Sequence, residues 1–130
     1  MKIVDVAVGV IKRHDMIYIS KRADTLHQGG LWEFPGGKKE ADETIAQTLS
    51  RELLEEVNIQ VLKQTPLMVI EHDYGDKKVR LDVRLVEQFS GEPSPQENQL
   101  GRWVKLEELS QYDFPQANIA IIDKLLQIRA

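Results

Sequence analysis

Residues 37–59 read GKKEADETIAQTLSRELLEEVNI, and how this stretch folds decides the architecture around it. Thr44 with Gln47 fits a capping box, the signature of a helix start. Asp42 and Glu43 stand beside it, at the positive end of the helix dipole. At ~100° per residue, Ala46, Leu49, Leu53 and Val57 then fall on one narrow apolar stripe, so a helix is expected from about Thr44 to Val57. Asn58 follows the last turn, where a left-handed residue is usual and Asn is the next choice after Gly.

Outward from this helix the pattern is mostly of strands. Ile3–Ile11 is rich in Val and Ile, and Met16–Ser20 reads Met-Ile-Tyr-Ile-Ser; with the polar Lys12–Asp15 between them they predict a β-hairpin. Residues 23–31 read as a loop, and the Pro and two Gly of Trp32–Gly37 argue against regular structure there. Leu67–His72 and Lys78–Val86 predict two strands around the turn signal Asp73–Asp76. In the second, Val79, Leu81, Val83 and Leu85 alternate with Arg80, Asp82 and Arg84, giving one buried and one wet face. Gly91–Gly101 reads as a loop and Trp103–Leu106 as a short strand. Residues 116–129 predict a second helix, with Ile119, Ile122, Leu125 and Leu126 at core spacing. The expectation is an α/β (α+β) protein, one domain over 1–130, with helices covering a mixed sheet.

Composition narrows the function. A chain of 130 residues has room for one sizeable core, and 42 % hydrophobic with 29 % charged residues argues against disorder. Lys+Arg 17 against Asp+Glu 21 leaves −4, the wrong sign for a clamp on a nucleic-acid backbone. Cys is absent, which excludes disulfides, thiolate zinc sites and a Cys nucleophile; any metal must be held by oxygen or imidazole. His14, His27 and His72 lie in separate segments without ligand spacing, so none is assigned a role. No run approaches the ~18 apolar residues of a membrane span. Met1–Ile11 reads as a first strand rather than an export signal, because Asp5 interrupts it and Lys12-Arg13-His14-Asp15 follows it. A cytoplasmic protein is expected.

Glu52, Glu55 and Glu56 share one side of the predicted helix at i, i+3 and i+4. Like charges so placed repel by tenths of a kcal/mol per pair unless something positive lies among them. Either they form a solvated acidic face, or they hold a hard divalent cation; Mg²⁺ prefers carboxylate and water oxygens and recruits substrate phosphate.

The spacing around them favours the cation. From Gly37, five residues lead to Glu43 and seven more to Arg51; then come Glu52-Leu53-Leu54-Glu55-Glu56-Val57-Asn58-Ile59. This resembles the Nudix box, Gly-x5-Glu-x7-Arg-Glu-U-x-Glu-Glu-x-Gly-U with U aliphatic, at every defined position but the second glycine, here Asn58. With each identity at about one in fifteen, such a match arises by chance on the order of one time in a million. Asn can supply the left-handed residue at modest cost. Ala7-Val8-Gly9, Glu33-Phe34-Pro35-Gly36-Gly37, Gly91-Glu92-Pro93, Trp103, and Asp113-Phe114-Pro115 with Ala117-Asn118 extend the likeness to the MutT-type branch.

The resemblance implies a mixed sheet sandwiched between helices and a Mg²⁺-dependent enzyme, with Mn²⁺ as an alternative ion. Such an enzyme hydrolyses nucleoside triphosphates to monophosphate and pyrophosphate by attack of water at the β-phosphorus. For MutT-type members the substrate is 8-oxo-dGTP, cleared from the nucleotide pool. The implied partner is a small nucleotide, with no nucleic acid, no membrane and a monomeric state. Glu52, Glu55 and Glu56 would ligate the metal, with help from a carbonyl of Gly36 or Gly37. Glu97 in the 91–101 loop either completes the site or is an ordinary loop glutamate. The general base is Glu52 or Glu97. Arg51 would pair with Glu43 and hold the glutamates still. Arg22 either contacts nucleotide or is a solvated cation at a strand end. Val4, Val6, Phe34, Val79 and Pro115 either line a base pocket or are plain core. Asn118 either reads the O6/N7 edge of a purine, its amide offering a donor and an acceptor together, or caps the C-terminal helix. Two alternatives stay open: another nucleotide substrate, such as an unmodified dNTP or ADP-ribose, and a binding module without turnover.

Overall fold

A computed structural model describes residues 2–21, 30–95 and 99–129, the last without its side chain. Its frame is one seven-stranded mixed sheet. Strand β1 (Lys2–Arg13) lies at the centre and β2 (Met16–Lys21) folds back on it across the two-residue turn His14-Asp15, where His14 takes φ 57°. The polar turn is thus shorter than the sequence suggests. The long hairpin of β5 (Gln60–Asp73) and β6 (Lys77–Ser90) joins the other side of β1 through a parallel β1–β6 pairing from Lys2↔Lys77 to Ile11↔Val86. Strand β7 (Leu100–Lys105) pairs with β2.

Trp32–Gly37 corrects the expectation of irregular backbone. Trp32–Glu33 forms β3 on β2, and Gly36–Lys38 forms β4 on β1. Pro35 falls between the two strands, where its missing N–H costs no ladder bond. The glycines are needed because β4 crosses β1 closely: a β-carbon on Gly36 would run into the Ala7 carbonyl.

The sequence-encoded helix forms α1 (Ile45–Val57). Thr44 Oγ1 accepts the Gln47 N–H and the Gln47 side chain accepts the Thr44 N–H, a complete capping box. Asn58 ends it at φ 63°, ψ 36°. Leu49, Leu53 and Val57 are buried, each contributing ~1.5–3 kcal/mol by removal from water. They meet Ala7, Ile11, Tyr18, Ile59 and Val86 in one core, beneath which Gly9 leaves room for Leu49 and Leu53. Thr48 is buried beside them although it lies off the expected stripe.

The second core lies on the opposite face, because strand side chains alternate. Val8 and Val10 of β1, Ile17 and Ile19 of β2, and Leu81 and Val83 of β6 pack there against α2 (Gln116–Arg129) and a 3₁₀ turn, Leu106–Gln111. Ile122 and Leu125 point into this core as expected. Ile119 does not: it is 48 % exposed, and Ile121 is buried instead. The sheet is therefore sandwiched, with α1 on one face and α2 on the other. Among the described residues no helix is long and apolar enough to cross a membrane.

Candidate active site

Residue Glu52 lies one position past the middle of α1, on the side facing β4. Its carboxylate rests on Gly37, so closely that a β-carbon there would lie 2.6 Å from Oε1. One turn later, Glu56 hydrogen-bonds Glu52 and accepts the Gly36 N–H. Burial pushes the Glu56 carboxyl up to about 8, and the charges of Glu52 and, more weakly, Glu33 add to the effect; the Gly36 N–H opposes it. Two acids thus share a half-buried notch floored by the backbone of β4.

Glu55 does not join them. Helix geometry sets residues i+3 and i+4 about 100° apart, so Glu55 and Glu56 flank Glu52 on opposite sides. Glu55 is 56 % exposed and accepts from Arg51 Nη1 at 3.4 Å. The expected trio is a pair with a neighbour, and among the described residues no group of three or more acidic or imidazole side chains is placed to hold a metal ion by itself. The reason is Arg51, which sits four residues before Glu55 and competes for its carboxylate.

Arg51 organises the whole acidic end. Its Nε donates to Glu43 Oε2 at 2.6 Å, Nη2 to Glu43 Oε1 at 2.9 Å, and Nη1 to Glu52 Oε1 at 3.0 Å. Glu43 also accepts from Thr48 Oγ1 at 2.9 Å and from the Glu40 N–H at 3.1 Å. The Arg51 guanidinium, and less so these other donors, hold the Glu43 carboxyl down at about 2. The pair with Glu43 raises Arg51 in turn. A permanent cation tied on both sides keeps Glu52 in place while leaving Glu56 to the notch.

The remaining expected residues gather on the other face of the sheet. Val4 lies opposite Val79, and Val6 opposite Leu81. Phe34 is buried and stacks on Phe114 at 5.2 Å between centroids; Pro115 is buried just before α2. Asn118 does not occupy the helix cap, which falls to Pro115, since α2 begins at Gln116. It sits half-buried in the first turn, with its backbone N–H on the Pro115 carbonyl at 2.9 Å. Glu33-Phe34-Pro35-Gly36-Gly37 links the two faces: Glu33 faces the acidic pair electrostatically, while Phe34 packs in the α2-side core. Arg22 and Glu97 fall outside the described residues. Glu33 carried no role in the sequence reading; its likeness to family residues was visible, its proximity to Glu56 was not.

The residues present fit a hard divalent cation. The donors are all oxygen, Glu52 and Glu56 lie side by side over β4, and the backbone beneath leaves no space for a side chain.

Comparison with known proteins gives the family. The NUDIX domain model matches residues 7–124. An 8-oxo-dGTP diphosphatase of Escherichia coli is 40 % identical over 129 residues, covering 98 % of this chain and 100 % of that one. A CTP pyrophosphohydrolase of the same organism is 32 % identical over 130 residues, covering 100 % and 96 %. A solved structure from work on MutT of Aliivibrio salmonicida and Vibrio cholerae superposes with a TM-score of 0.87 at 37 % identity, covering 97 % of this chain and 98 % of that one.

Proposed function

Since the chain belongs to the Nudix family and is a pyrophosphohydrolase of that family, we propose that it hydrolyses 8-oxo-dGTP to 8-oxo-dGMP and pyrophosphate, clearing an oxidised nucleotide before it enters DNA. The observation that carries the reading is the Glu52–Glu56 pair on the Gly36–Gly37 backbone. The substrate is taken from the 40 % identical relative of that name.

Glu52 and Glu56, with a carbonyl of Gly36 or Gly37, would hold Mg²⁺; Glu55 stands beside them and Glu97 is assigned to the same set. An ion held there would supply neutralisation of charge on the phosphate oxygens. Glu52 takes the proton of the water that attacks the β-phosphorus, its carboxylate fixed by Arg51 from one side and Gly37 from another. Phe34, Val4, Val6, Val79 and Pro115 enclose the base, and the Asn118 amide meets its O6/N7 edge. Oxidation at C8 turns N7 from acceptor to donor, a reversal that an amide held in one orientation against that edge would detect. Arg22 is assigned to the nucleotide. Free nucleotide is its partner in this reading, with the protein acting as a monomer and without nucleic acid.

The test compares kcat/KM for 8-oxo-dGTP and dGTP in wild type and in Asn118→Ala. The reading expects a preference of roughly tenfold or more for the oxidised base, largely lost in the variant. A wild-type ratio near one would remove the oxidised substrate from the proposal.

A further inference from the structure

Strand register places His72, which the sequence left unassigned, beside residues proposed to enclose the base. Across the N-terminal end of the sheet, Val4 of β1 is opposite Val79 of β6, and Val79 is opposite His72 of β5. The β5–β6 register is unbroken from Met68 to Asp73. Met68 and Ile70 pack into the α2-side core, so His72, two residues further on, projects to the same face. Val79 packs on that core as well. Val4, Val79 and His72 therefore form one row across three strands, on the face that carries Phe34 and Pro115.

The row has a length and an end. Two inter-strand spacings separate Val4 from His72, roughly 10 Å. Its first two members are aliphatic and low; the third is a ring. The His72 imidazole is half-buried and packs edge-on to Tyr74 with centroids 4.5 Å apart and planes at 61°. Tyr74 is fixed in turn by a tight turn: its N–H donates to the Lys77 carbonyl at 2.9 Å, and Asp73 Oδ1 accepts the Gly75 N–H at 2.8 Å. An aromatic pair on a pinned turn is a wall rather than a flexible flap.

We propose that His72, backed by Tyr74, is a specificity-determining residue that contacts the far edge of a two-ring base lying on Val4 and Val79. A purine spans the row and reaches the imidazole; a pyrimidine stops short on the valines. The contact favours purines through ring packing, and His72 takes no part in the bond-breaking step. This inference rests on the placement of the base given under Proposed function.

Calorimetric binding of dGMP and dCMP tests it without requiring turnover. Wild-type protein should bind dGMP more tightly than dCMP. In His72→Ala the dGMP affinity should fall about 3- to 10-fold, the size of one aromatic contact, while dCMP affinity stays within twofold. His72→Phe keeps the ring and should retain the wild-type preference. Equal wild-type affinities, an equal loss for both nucleotides in His72→Ala, or a Phe variant that behaves like the Ala variant would each overturn the assignment. Failure of the hydrolytic reading would instead appear as absent pyrophosphate release with dGMP preference intact.

Discussion

Gly37 and the Glu52 carboxylate are in direct contact, with no room between them for a single methyl group. The backbone of β4 and the side chain of α1 therefore define each other's positions. Gly37→Ala must displace the acid, and because a shift of about 1 Å in a reacting group can cost on the order of 10²-fold in rate, kcat should fall by that order. Steady-state kinetics beside a thermal melt would check this; a variant that turns over at the wild-type rate would show that Glu52 need not rest there.

Glu52→Gln should behave differently, removing the charge while keeping the shape. With Glu52 as the proposed base and metal ligand, loss of its charge should lower kcat by roughly 10²- to 10⁴-fold. The fold should survive, since the amide relieves the repulsion with Glu56. Wild-type turnover in this variant would refute the site.

Acid stability should depend on Glu43. The Arg51 guanidinium holds its folded-state carboxyl at about 2, below its ordinary value of 4.5. A depressed carboxylate stabilises the fold above the unfolded value, and that contribution drains away as pH falls from about 4.5 through 2. Unfolding free energy measured against pH should therefore drop less steeply over this window in Glu43→Gln. An unchanged slope would mean that the pair does not couple to folding.

The departure from the box motif at Asn58 should be thermodynamic only. At φ 63° the residue is left-handed, so Asn58→Gly is expected to leave stability within ~1 kcal/mol of wild type and to leave kcat unaltered. Asn58→Ala should destabilise by a similar amount, as read by denaturant titration. Thr44→Ala, which removes the cap, should cost about 1 kcal/mol.

How far the sequence carried the fold differs from element to element. Helix α1 was legible at both ends, because capping box, apolar stripe and left-handed Asn58 are local signals. The long hairpin was seen only in its middle: β5 and β6 run on to Gln60 and Ser90, through polar residues whose extension depends on pairing with each other. Strands β3 and β4 were missed because Gly and Pro argue against strands in isolation, whereas here close passage beneath α1 demands glycine. At the site, the box glutamates announced themselves by spacing. What spacing could not give was the split among them, with Glu52 and Glu56 in the notch and Glu55 drawn to Arg51. Glu33 and His72 became visible only through contacts across strands and helix, which no linear pattern encodes.

The most direct measurement is the release of pyrophosphate from 8-oxo-dGTP by wild-type protein, followed with Mg²⁺ present and again with the ion chelated. One pyrophosphate and one 8-oxo-dGMP should form per substrate, and chelation should stop the reaction. Folded protein that releases no pyrophosphate in the presence of Mg²⁺, or releases it equally fast after chelation, would contradict the account.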